Sequence, residues 1–213
     1  MKSRIVLLGP PAAGKGSVAS LLAKRFSIPA GSTGAMLRQE IKSGSELGKL
    51  AESYTKHGKL FTDDIALRVV ASWMERNGNH FILDGFPRTV GQALAFEEML
   101  SKKTLSIDCV FALELSAEVI EQRILSRLTC SSCGSTYSME LDKNLEPTSP
   151  CPACSHPLES RYDDNLETLK ERLSQHQELS APVENFYQDR NLLTRINADQ
   201  SPQAVFDDII QHF

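Results

Sequence analysis

The sequence predicts an α/β fold, a parallel sheet flanked by helices, carrying two inserted subdomains. Three observations predict it. Short apolar runs that read as buried strands alternate along the chain with longer stretches of helical period. The first run ends in a Gly- and Pro-rich loop that opens a helix. Two stretches, 32–61 and 127–164, break the alternation, and the second holds four cysteines in two CxxC pairs. Strand and helix in alternation give a parallel sheet because each crossover returns across a face, so helices cover both sides.

The elements follow in order. Arg4 to Gly9 is short and apolar and is ended by Gly and Pro, as a buried strand is. Lys15 to Phe26 has apolar Val18, Ala19, Leu21 and Leu22 at helical spacing. Residues 32–61 hold short helical patterns and no clear strand. His80 to Asp84 reads as the second strand, with a helix at Thr89 to Leu100. Ile107 to Leu115 reads as the third, followed by a helix at Ala117 to Leu128. Residues 127–164 show little helical period. A helix at Leu166 to Tyr187, a strand at Leu193 to Asn197 and a closing helix at Ser201 to Phe213 complete the chain. The expected core is therefore 1–31, 62–126 and 165–213, with 32–61 and 127–164 inserted upon it.

Composition bounds the function. The chain has 213 residues, 41% of them hydrophobic, so a sizeable core can form. Its formal net charge of −4 argues against a general nucleic-acid binder, so an anionic ligand must meet a local cluster of positive charge. No apolar run approaches the roughly 20 residues that cross a bilayer, and the N-terminus lacks a signal-peptide layout. The expectation is a cytoplasmic protein with no membrane partner. There, paired CxxC spacing favours metal over disulfide.

Gly9-Pro-Pro-Ala-Ala-Gly14-Lys15-Gly16-Ser17 lies between a strand and a helix, the context a Walker A phosphate loop requires. Backbone N–H groups at a helix N-terminus carry partial positive charge and cradle phosphates. The amides of Ala12, Ala13, Gly14, Lys15, Gly16 and Ser17 are the candidates, and Lys15 reaches the β- and γ-phosphates. In many such loops Ser or Thr follows the lysine and touches Mg²⁺. Here Gly16 takes that place and Ser17 comes one later.

Asp84-Gly85-Phe86-Pro87-Arg88-Thr89 follows the second strand. An aspartate at the carboxyl end of a buried strand is placed to hold Mg²⁺ through water. Arg88 offers a planar fork of donors suited to phosphate. Gln92 lies one turn further, and an amide can donate to and accept from a base edge together. Arg123 and Arg127 are spaced i, i+4 and are expected on one face of a helix. Arg161 and Arg172 follow. Arginines converging on a transferring phosphoryl group would meet the charge spread over its oxygens.

Cys130-x₂-Cys133-x₁₇-Cys151-x₂-Cys154 has zinc-ribbon spacing. Four thiolates saturate tetrahedral Zn²⁺ and leave no open position, so the expected metal is structural. A nucleic-acid-binding knuckle is the alternative, but Lys143 is the only Lys or Arg between Cys133 and Cys151. Cys109 reads as a small buried core residue. The five histidines share no motif and read as structural or solvated, with His156 a weak alternative metal ligand.

The Gly14-Lys15-Gly16-Ser17 string resembles the nucleoside monophosphate kinases, and the string from Asp84 to Arg88 closely resembles the adenylate kinase signature. Ser32-Thr33-Gly34, Arg38 and Gly58 to Asp63 resemble the same family's AMP-binding segment. The resemblance covers nearly the whole chain and implies reversible phosphoryl transfer from MgATP to AMP, giving two ADP, by a monomer. It implies AMP contacts at Thr33, Arg38, Lys59, Leu60, Phe61, Gly85, Phe86, Pro87, Arg88 and Gln92. It places Arg123 and Arg127 near ATP, Arg161 and Arg172 between the nucleotides, Thr136 and Tyr137 over the ATP base and ribose, and Gln200 at the ATP adenine through its backbone. Lys15, Arg88, Arg127, Arg161 and Arg172 are the implied catalytic set. Three residues depart from the family pattern: Ala12 replaces a loop glycine, Ala35 an aspartate and Ser138 a histidine. The rivals are a UMP- or CMP-type kinase, a zinc-ribbon nucleic-acid-binding ATPase and a nucleotide sensor without turnover.

Overall fold

A computed structural model describes residues 2–55, 62–140, 142–160 and 165–213. In chain order its elements are β1 (Arg4–Leu8), α1 (Lys15–Phe26), β2 (Ala30–Ser32), α2 (Thr33–Ser43), α3 (Glu46–Thr55), α4 (Asp63–Asn77), β3 (Phe81–Asp84) and α5 (Val90–Ser101). Then come β4 (Cys109–Glu114), α6 (Ala117–Leu125), β5 (Arg127–Cys130), β6 (Thr136–Ser138), β7 (Leu158–Glu159), α7 (Leu166–Gln188), β8 (Leu193–Asn197) and α8 (Pro202–Ile210).

Five strands form one sheet in the order β2-β3-β1-β4-β8, and every pair is parallel. The period-2 pleat sorts its apolar residues into two cores. Val6, Leu8, Phe81, Leu83, Val110 and Ala112 share one cluster with residues of α2, α4, α5 and α7. Ile5, Leu7, Ile82, Cys109, Phe111 and Leu113 share the other with α1 and α8. Helices on both faces explain why these strands are continuous apolar runs rather than alternating ones. A second sheet, β6-β5-β7, is antiparallel and has its own small core of Leu128, Cys130, Cys151 and Leu158.

Three elements differ from the sequence-based expectations. The strand Ala30–Ser32 was not anticipated: three small residues carry little strand propensity, and edge pairing to β3 (Ala30 with Ile82, Ser32 with Asp84) makes the strand. The helix Asp63–Asn77 was also not anticipated; it buries Ile65, Val69, Val70, Trp73 and Met74 along one face. The helix expected to reach Leu128 stops at Leu125, so Arg127 lies on strand β5 and not on a helical face shared with Arg123. The cause is tertiary: Leu128 and Cys130 point into the small core with the alternation of a strand, and β6 and β7 supply the pairing.

Candidate active site

The loop 9–14 joins strand β1 to helix α1, the strand-to-helix context that the sequence predicts. Among the described residues seven helices begin on a side-chain cap, from Ser32, Ser45, Thr62, Thr89, Ser116, Asn165 and Ser201. Helix α1 begins on Gly14 (φ 81°, ψ 10°) with no side-chain cap, the form that an anion-binding helix N-terminus takes. Lys15 Nζ donates to the carbonyls of Gly9 (2.9 Å) and Pro10 (2.8 Å), so the ammonium is folded back over the loop. Ala12 has φ 60°, the left-handed conformation in which a glycine would carry no Cβ penalty.

The carboxyl end of β3 faces this loop. A Cβ added at Gly16 would lie 3.4 Å from Asp84 Oδ2, so the carboxylate abuts the position that follows the lysine. Arg88 Nε donates to the Gly85 carbonyl (2.9 Å), which curls the guanidinium back toward the strand end. Thr33 Oγ1 is 3.5 Å from the same carbonyl. Phe86 is buried edge-on against Phe96 in the core. Gln92 is 6% exposed; its Oε1 accepts from the Arg88 amide (2.7 Å) and its Nε2 donates to Asp63 Oδ1 (2.9 Å).

A cleft of about 1090 Å³ opens between these walls. Ala12, Ala13, Gly14, Lys15, Gly16, Ser17, Arg38, Asp84, Gly85, Pro87 and Arg88 line it. Arg123, Arg127, Thr136, Tyr137 and Gln200 line it as well. Arg123 and Arg127 thus reach one cleft from different elements. Thr33, Phe86 and Gln92 do not form its wall. Lys59, Leu60, Phe61 and Arg161 lie outside the described residues, as does the side chain of Arg172 on α7.

The sulfurs of Cys130, Cys133, Cys151 and Cys154 lie within 4.8 Å of one another. Cys130 and Cys154 are 3.4 Å apart, Cys133 and Cys151 3.7 Å. Four thiolates at about 2.3 Å from a tetrahedral ion stand about 3.8 Å from each other, so this cluster fits a metal such as zinc. His156 is exposed and outside the cluster, with Nδ1 against the Cys154 carbonyl. Burial pushes the Cys109 thiol up to about 12, in keeping with an inert core residue.

Two residues near the cleft carried no role in the sequence. Asp63 holds Gln92 and also accepts from Thr89 Oγ1 (2.8 Å); in the sequence it was only the last residue of the Gly58-to-Asp63 segment, with no role of its own. His176 lines the cleft from α7, and burial, helped by the charges of Lys15 and Arg88, pushes its imidazole down to about 4. Nothing local in the sequence distinguishes it from the other histidines.

A lysine-bearing phosphate loop at the carboxyl edge of a parallel sheet, faced by arginines, places the chain among the P-loop nucleotide phosphotransferases. The family model for adenylate kinase matches residues 7–192. An adenylate kinase from Moorella thermoacetica is 40% identical over 206 residues, covering 95% of this chain and 94% of the relative. One from Thermoanaerobacter sp. (strain X514) is 37% identical over 214 residues, with 97% and 95% coverage. One from Clostridium botulinum (strain Langeland) is 37% identical over 209 residues, with 97% and 96% coverage. The chain belongs to the adenylate kinase family, and its reaction is phosphoryl transfer between ATP and AMP. Among the described residues no helix is long and apolar enough to cross a membrane.

Proposed function

We propose that the cleft holds the two nucleotides head to head, with ATP phosphates on the α1 amides and the AMP phosphate on Arg88. The observation that carries this reading is that Lys15, Asp84, Arg88 and Arg127 line one cleft although they come from α1, β3, the loop after β3 and β5. Lys15 and the loop amides bind the donor phosphates and Arg123 binds ATP beside them; Arg38 and Arg88 hold the acceptor; Arg127 meets charge on the transferring group, with Arg161 and Arg172 completing the set. Thr136, Tyr137 and Gln200 hold the ATP nucleoside; Gly85 to Pro87 stand with Arg88 at the AMP phosphate end, Thr33 and Lys59 to Phe61 line the AMP pocket, and Gln92 reads its adenine. An AMP phosphate oxygen attacks the γ-phosphorus directly as its bond to the β–γ bridging oxygen breaks, so the donor leaves as ADP and the acceptor becomes ADP; the protein's work is alignment and charge stabilisation. Magnesium that arrives with ATP would be held through water by Asp84, where it offsets phosphate charge.

In this reading residues 32–61 close over AMP, 127–164 form a lid over ATP, and 1–31, 62–126 and 165–213 form the core. The four cysteines hold structural Zn²⁺, which gives the lid a centre that its small apolar core does not. The enzyme works in the cytoplasm as a monomer in nucleotide biosynthesis, without nucleic-acid partners. Side-by-side turnover of AMP, CMP and UMP with MgATP tests the acceptor assignment. AMP should be strongly preferred, and Arg88→Ala should reduce turnover by about a thousandfold. Equal use of CMP or UMP, or full turnover by Arg88→Ala, would refute the assignment.

A further inference from the structure

The amide of Gln92 has two protein partners that can each bond it only one way round. The Arg88 backbone N–H can only donate, and Oε1 accepts from it at 2.7 Å. The Asp63 carboxylate accepts, and Nε2 donates to it at 2.9 Å. Asp63 is itself held: its other oxygen accepts from Thr89 Oγ1 at 2.8 Å, and that hydroxyl accepts from Gln92 N at 3.0 Å. The backbone allows the approach. A Cβ added at Gly91 would lie 2.9 Å from Asp63 Oδ2, so any side chain there would press on the carboxylate.

We infer that Asp63 is a specificity-determining positioning residue, which locks the Gln92 amide in one orientation and so selects a 6-amino over a 6-oxo purine in the acceptor nucleotide. The inference rests on the proposal that Gln92 reads the acceptor base. An amide carries two N–H groups and two acceptor lone pairs on its oxygen, and the protein uses one of each. One N–H and one lone pair remain for a base. Adenine presents a ring-nitrogen acceptor beside an amino donor, which matches them. Hypoxanthine and guanine present a ring N–H beside a carbonyl, which reverses both. A free amide would turn over and accept either base. Here the turned amide would set Oε1 against the Asp63 carboxylate and Nε2–H against the Arg88 N–H. Both contacts would be repulsive, which is discrimination by an unfavourable alternative.

The test compares kcat/KM for AMP and for inosine monophosphate, which differ at this edge without the extra amino group of guanine. In Asp63→Asn, whose amide can offer either its oxygen or its nitrogen, the AMP-to-IMP ratio should fall by about ten- to a hundredfold. KM should carry most of the change, rising for AMP and falling for IMP. Gly91→Ala, which displaces the carboxylate without removing it, should lower the ratio in the same direction. A merely structural role for Asp63 would lower both substrates together and leave the ratio at its wild-type value; that result would overturn the inference. Gln92→Ala separates the two levels. If it leaves the ratio untouched, Gln92 does not read the base, and the acceptor assignment fails along with the lock. If it collapses the ratio while Asp63→Asn and Gly91→Ala do not, only the lock is wrong.

Discussion

Arg76 Nη2 donates to Glu40 Oε1 at 2.6 Å and ties α4 to α2 across 36 positions of chain. Glu40 is 3% exposed and gathers Ser45 Oγ (2.7 Å) and Ser72 Oγ (3.1 Å) onto the same carboxylate. One buried side chain thereby joins α2, α4 and the turn before α3. The Ser45 hydroxyl, with Arg76 and Ser72, holds the carboxyl below its ordinary 4.5 against the opposing push of burial.

Removing that acceptor should be costly. Glu40→Ala leaves two hydroxyls and a guanidinium without their partner and should destabilise by about 2–3 kcal/mol in urea unfolding. The sign of the pH effect follows from the lowered carboxyl. Its contribution is complete above the unfolded value near 4.5 and is lost as pH falls through the folded one. The difference between wild type and Glu40→Ala should shrink at acid pH.

His176 should act in the same direction from a higher starting point. Its imidazole, ordinarily near 6.5, is pushed down to about 4, so the folded protein keeps it neutral while the unfolded chain takes up a proton. Stability from this group is present above pH 6.5 and drains away between there and about 4. His176→Gln should flatten the decline between pH 7 and 5 when unfolding free energies are compared.

Lys15 lies against its own loop, with an ammonium shared between two carbonyls, so it is positioned before phosphate arrives. Lys15→Met keeps most of the aliphatic stem and removes the charge. It should lower kcat by about a hundredfold or more while leaving the thermal midpoint within about two degrees. Rapid-quench kinetics checks the first and calorimetry the second.

Arg123 Nη2 donates to the carbonyls of Ala198 (2.9 Å) and Gln200 (3.1 Å), so it fastens the segment after β8 to α6 at the edge of the cleft. Arg123→Ala should raise KM for ATP more than KM for AMP, because the released segment lines the cleft where the proposed arrangement puts the donor. Steady-state kinetics with each nucleotide varied in turn decides this.

The four thiol groups predict one zinc per chain by elemental analysis. Chelation should raise hydrogen exchange in β5, β6 and β7 while the protection of β1 and β4 persists, because the small sheet has few buried apolar residues apart from its cysteines. Affinity for the metal should fall as pH falls, since each ligand must lose a proton to bind.

Local chemistry made much of this protein legible in its sequence. The phosphate loop, the strand-ending aspartate and the CxxC pairs are runs of adjacent residues whose spacing already implies their geometry. The apolar strands were legible because both faces of the sheet are covered. Tertiary structure alone decided the rest. Ala30–Ser32 is a strand only because β3 lies beside it, and Arg127 leaves the helical register only because Leu128 and Cys130 enter a core of their own. Asp63 meets Gln92 across 29 positions, and His176 meets the cleft from a distant helix. Short-range pattern encodes backbone preference and ligand spacing, but a contact between remote residues exists only after the whole chain has closed around it.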